Sequence, residues 1–173
     1  MKIKLLLVAL LTTLSLQAVT VGEKPKTVTI EGENGGLVSN SGVWNSDTIK
    51  GDVYVLFYVD PDEKSVNEDF SKALKAKEYR KKGAFGSIAI VNLAATWKPN
   101  FVIEKILNSK QEEFPKTIYV KDKSSVLVKE WGLKDDASDV LIFDKTGKLL
   151  FYKSGKLDAA DMQKAFSLIE GNL

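Results

Sequence analysis

The sequence predicts an α/β fold in which helices flank a central mixed sheet. Three observations carry that reading. Two apolar runs, 53–59 (VYVLFYV) and 87–93 (SIAIVNL), are rich in β-branched and aromatic residues and read as strands buried on both faces. Amphipathic stretches separate the strands, which makes the neighbouring pairs parallel. A hairpin followed by a helix closes the chain and adds antiparallel strands, so the sheet is mixed. With 44% hydrophobic and 28% charged residues among 173, the chain can close a core within one domain.

The elements follow in order. Residues 28–30 and 37–38 are short strand candidates on either side of the turn Glu33-Asn34-Gly35-Gly36. Trp44-Asn45-Ser46 follows a glycine-containing turn. Asp60-Pro61 ends the 53–59 strand. Ser65-Val66-Asn67-Glu68 fits a capping box, with Ser65 capping and Glu68 reaching back. The stripe Val66, Phe70, Ala73 and Leu74 then marks a helix that Gly83 closes. After the 87–93 strand, Pro99 or Asn100 starts a helix with the stripe Val102, Ile103, Ile106 and Leu107. Residues 117–120 form the next strand, and Ser124 begins a short helix ending near Trp131-Gly132. Strands 140–143 and 149–152 are joined by the turn Asp144-Lys145-Thr146-Gly147. Asp158 caps a last helix with the stripe Met162, Ala165, Phe166 and Ile169. The order strand–helix–strand–helix–strand–short helix–hairpin–helix is the layout of a thioredoxin-like domain.

Composition closes several kinds of chemistry. The chain has 0 Cys and 0 His. Without cysteine there is no disulfide, thiolate nucleophile or thiolate metal site. Without histidine the commonest general base near neutral pH and the commonest transition-metal ligand are missing. Serine- and cysteine-nucleophile triads built on histidine are excluded, as are histidine-based zinc sites.

Residues 1–18, MKIKLLLVALLTTLSLQA, have the three parts of a secretory signal peptide. Lys2 and Lys4 precede an apolar run over 5–11, and a more polar region ends at the small residue Ala18. Leu16, three residues before the cut, is larger than usual there. Thr12 and Thr13 interrupt a run already short for a span of about 20 residues. No cysteine follows for lipid attachment. We therefore expect a signal peptide over 1–18, a domain over 19–173, delivery to the periplasm, and no stable membrane anchoring after cleavage near Ala18. Two of the 25 bases lie in the leader, which holds no acid, so 23 bases face 23 acids in the remainder. A nucleic-acid binder needs a surplus of bases, so nucleic acid is not an expected partner.

Two resemblances enter here. The segment 55–65, VLFYVDPDEKS, is similar to the strand and active-site turn of thioredoxin-like and peroxiredoxin-like proteins. In those families a reactive cysteine sits where the strand gives way to the helix. Laid over that turn, Asp62 and Ser65 fall where the two cysteines would be. Those families usually place a proline six residues before the Asp of an Asp-x-x-Gly hairpin, and here that residue is Ser138. The resemblance thus implies the fold without the redox machinery. The chain also resembles the YtfJ family of bacterial periplasmic proteins. The shared features are Trp44-Asn45-Ser46, Gly51-Asp52-Val53, Ile90-Val91-Asn92, Phe114-Pro115, Trp131-Gly132-Leu133, 140–147 (VLIFDKTG) and Gly155-Lys156-Leu157. Their spacing covers roughly residues 44 to 170. That family implies a thioredoxin-like fold and export, with no established activity.

The candidate surface is the former active-site end: Asp60, Asp62, Ser65, Trp97, Ser138 and Asp139. Trp97, in the polar segment Thr96-Trp97-Lys98-Pro99, is the tryptophan expected to be exposed, whereas Trp44 and Trp131 are expected to pack. The expected function is a redox-inactive binding module for a periplasmic protein or peptide. The alternative is a carboxylate site or enzyme using Ca²⁺ or Mg²⁺ through Asp60, Asp62 and Asp139, and a third reading is a structural envelope protein with no discrete site. No catalytic residue, resident metal or cofactor is assigned. Acids in the 60–63 turn are also what a helix N-terminal dipole favours, and the basic run 72–82 (KALKAKEYRKK) is expected to be a solvated helix face.

Overall fold

The computed structural model describes residues 18–173, so the leader expected over 1–18 lies outside the described residues except for Ala18. The strands are β1 (Thr29–Ile30), β2 (Gly35–Leu37), β3 (Trp44–Asn45), β4 (Val53–Val59), β5 (Phe85–Asn92), β6 (Thr117–Asp122), β7 (Ser138–Phe143) and β8 (Leu149–Ser154). The helices are α1 (Glu68–Ala76), α2 (Tyr79–Lys82), α3 (Asn100–Glu113), α4 (Val126–Trp131) and α5 (Ala159–Glu170).

Six strands form one sheet in the order β2-β6-β5-β4-β7-β8, and β1 pairs with β3 apart from it. β4–β5 and β5–β6 are parallel, and the other pairs are antiparallel. This is the mixed thioredoxin-like sheet expected from the element order. β4 lies at its centre because all seven residues, VYVLFYV, can face packed side chains. Val53 and Val55 meet Phe70 and Leu74 of α1 and Ala165 and Ile169 of α5 on one face. Val91 and Tyr119 meet Ile103 and Leu107 of α3 on the same face. Leu56 and Tyr58 point to the opposite face, where Leu127 and Trp131 of α4 complete the largest cluster together with Ile30 and Trp44.

The structure corrects three local expectations. Ser65 does not cap α1. The helix starts at Glu68, its N-cap is Asn67, and Ser65 is exposed with only its carbonyl accepting from Glu68 N–H at 3.2 Å. The expected capping box is absent because Asn67 is drawn inward to buried partners. The helix expected to run to Gly83 breaks at Glu78, which is left-handed at φ 48°. The break turns the Tyr79 ring into the core, where its hydroxyl donates to Glu170 Oε1 at 2.7 Å. In α3 only Ile103 and Leu107 of the expected stripe are buried, while Val102 and Ile106 stay exposed. The cap expected at Asp158 is present as a capping box with Asp161.

Candidate functional site

The carboxyl ends of β4, β5 and β6 and the start of β7 meet at one end of the sheet. In open α/β sheets this is where ligands bind. Asp60, Asn92, Asp122, Ser138 and Asp139 stand there, and all five are buried.

The turn after β4 is held from within. Asp60 N–H donates to Ala137 O at 2.9 Å, and Asp60 Oδ1 accepts from Asp62 N–H at 2.7 Å. Burial lifts the Asp60 carboxyl above the usual carboxylate range, and the charges of Asp136, Glu63 and Asp135 add to the rise. Asp62 reaches the other way. Its Oδ2 accepts from Thr96 Oγ1 at 2.8 Å, and its Oδ1 forms an ion pair with Lys98. These two contacts fasten the loop before α3 to the turn after β4 and leave Trp97 between them, 86% exposed. Phe101, 73% exposed, follows on the first turn of α3.

Below this surface the polar groups are closed on each other. Asn67 Nδ2 donates to Ser138 Oγ at 3.1 Å and to Gly155 O at 2.9 Å, and its Oδ1 accepts from Leu157 N–H at 2.9 Å. Ser138 is therefore a buried strut. Asp122 accepts from Tyr58 hydroxyl at 3.1 Å and from the N–H groups of Ser124, Val126 and Leu127 at 3.2, 2.9 and 3.2 Å. It, and not Ser124, satisfies the free amides at the start of α4. Asn92 donates to Asp135 Oδ1 at 2.9 Å and accepts from Ser125 Oγ at 3.0 Å. Asp139 accepts from Lys134 N–H at 3.0 Å, and burial holds its carboxyl above the usual range. Tyr152, beside Asp139, is pushed up to about 12, first by burial and then by the Asp139 charge.

Of the six residues singled out in the sequence, Asp62 and Trp97 come together at the surface through Lys98, and Asp60 supports them from beneath. Ser65 is exposed and shares no side-chain hydrogen bond with them among the described residues. Ser138 and Asp139 are sealed in. Asp60, Asp62 and Asp139 do not converge on one point, because each carboxylate has its own partners. Among the described residues no three His, Cys, Asp or Glu side chains are grouped to hold a metal ion. Sequence reasoning missed Asn67, Asn92 and Asp122 as supports. Asn92 carries a signal, as a polar residue ending a largely apolar strand, whereas Asp122 follows Lys121 beyond the strand expected over 117–120 and carries none.

Fold and site together define a thioredoxin-like protein without thiols. Solved structures agree on the frame. The thioredoxin domain of a thiol-disulfide oxidoreductase from Bacteroides vulgatus superposes with a TM-score of 0.60 at 10% identity, covering 87% of this chain and 98% of its own. A reduced 2-Cys peroxiredoxin from Plasmodium vivax gives 0.58 at 14% identity, covering 87% and 96%. Identities this low establish the fold alone. The chain belongs to the YtfJ family: residues 19–172 match the family model described as "Bacterial protein of unknown function (YtfJ_HI0045)". An uncharacterized protein of Haemophilus influenzae is 30% identical over 132 residues, 74% of this chain and 71% of its own. The uncharacterized protein YtfJ of Escherichia coli is 25% identical over 130 residues, 73% and 70% respectively.

Proposed function

We propose that this protein is an exported binding module that holds a periplasmic protein or peptide at the end of the sheet where thioredoxin-like enzymes carry their thiols. One observation carries the reading. Trp97 stands 86% exposed on a loop that Asp62 fixes through Thr96 and Lys98. An exposed tryptophan on a tethered loop is a large apolar anchor whose ordering cost has already been met within the fold. Phe101, Val102 and Ile106 extend the apolar surface from Trp97 along α3, and exposed apolar patches mark interaction sites. With 0 Cys the same end cannot exchange disulfides.

The test is in vivo photocrosslinking with the reactive residue at Asp62, at Trp97, and at exposed Lys145 in the β7–β8 turn at the opposite end. A discrete crosslinked partner from positions 62 and 97, absent from 145, is the expected result. Equal labelling at all three positions, or none, contradicts the proposal.

A further inference from the structure

The segment following the expected cleavage point is built into the fold. Val19 packs on the α4 side of the core, and its N–H donates to the carbonyl of Trp131, the last residue of α4, at 2.9 Å. Gly22 N–H donates to Leu149 O at 2.8 Å, and Leu149 N–H to Glu23 O at 2.9 Å. Trp131 Nε1 donates to Lys26 O at 2.9 Å, while Lys26 pairs with Glu130. Residues 19–26 are thus a strap tied to α4 and to the start of β8. Ala18 precedes the strap and, like most of its residues, is exposed. It lies against Gly132, where an added Cβ would come within 2.9 Å of Ala18 Cα.

We propose that the chain is cut between Ala18 and Val19 and that the new α-ammonium of Val19 is a structural anchor docked on the carbonyl end of α4. The cut is a hydrolysis. Water adds across the Ala18–Val19 amide, Ala18 leaves as a carboxylate, and the Val19 nitrogen keeps the electron pair of the broken bond and is protonated. Before the cut Val19 offers Trp131 a neutral N–H. Afterwards it offers a charged donor, roughly twice as strong. That donor meets a helix C-terminus, whose unpaired carbonyls carry the negative end of the dipole. In the folded chain the Val19 nitrogen is engaged, so cutting precedes docking of the strap. Removal of the leader then tightens the fold that remains. The inference rests on the export reading and is independent of the partner surface.

The experiment has two arms. The first is the intact mass of protein exported with its own leader in a Gram-negative host. The expected mass is that of a chain beginning at Val19. A cut at another bond or a retained leader overturns the anchor and leaves export standing, whereas protein confined to the cytoplasm overturns both. The second arm compares melting of a chain beginning at Val19 with one carrying Gly-Ser ahead of Ala18, each released from a fusion without other added residues. The Val19 chain is expected to melt higher by about 2–4 °C, the shift a single strengthened bond gives in a domain of this size. Equal melting points contradict the anchor. Gly132→Ala checks the packing independently. It is expected to cost more in the extended chain, where Ala18 meets the new methyl, than in the Val19 chain, where only the left-handed backbone at φ +62° is strained. Equal losses in the two chains contradict it.

Discussion

Asn67 ties three parts of the chain through one amide: the start of α1, the start of β7 at Ser138, and the Gly155–Leu157 connection into α5. Truncating it strands several buried partners at once. Asn67→Ala is therefore expected to cost about 2–4 kcal/mol in urea unfolding. Asp139 gives a pH signature. Burial raises its carboxyl in the folded chain, so the folded state holds that proton more tightly than the unfolded one. The stability this supplies is complete below an ordinary Asp pKa of about 3.9 and is lost as pH rises through the raised value. Asp139→Asn keeps an acceptor for Lys134 N–H but has no proton to lose. Its stability relative to the unsubstituted protein is expected to improve as pH is raised from acid to neutral in parallel urea titrations. A constant difference across that range contradicts the buried-carboxylate account. Neither role was legible beforehand. Asn67 was hidden by the Ser65–Glu68 spacing, which fits a capping box locally, and Asp139 read as a surface carboxylate of the former active-site end. What decided both was burial, which depends on contacts far along the chain.

At the scale of elements, strand positions were legible wherever an apolar run was continuous, as in β4, β5 and β7. Periodicity failed where it could not choose a face. Val102-Ile103 and Ile106-Leu107 make a wide apolar arc, and only the half that meets Val91 and Tyr119 is buried. The other half continues the exposed surface of Trp97 and Phe101. Helix propensity also misled across 72–82. The run is continuous in sequence, but burying the Tyr79 ring beside Phe85, at 5.5 Å between centroids, forces Glu78 into the left-handed region. Glu78→Gly relieves that backbone and is expected to raise stability by up to about 1 kcal/mol in thermal unfolding. A loss would mean that the exposed Glu78–Lys81 pair outweighs the strain.

At the scale of the whole molecule, the frame was recoverable because element order alone restricts parallel βαβ units to few topologies. The address of the candidate surface followed from the frame, since Asp62, Ser65 and Ser138 all map to the end where thioredoxin-like enzymes carry their thiols. Its division of labour did not follow. Their shared end of the thioredoxin-like frame suggested one carboxylate site of Asp60, Asp62 and Asp139, but folding sends Asp62 outward to Lys98 and Thr96 and seals Asp139 inside. Each carboxylate is already partnered, so millimolar Ca²⁺ or Mg²⁺ is expected to leave the melting temperature unchanged. A saturable rise would instead favour the cation reading. The account is tested most directly by the affinity of the partner captured through position 97, measured by calorimetry against the unsubstituted protein and Trp97→Ala. The expected result is a loss of at least about tenfold, with an unchanged melting temperature because the ring is exposed. Equal affinity of the two proteins would contradict the claim that this end of the sheet has become a binding surface.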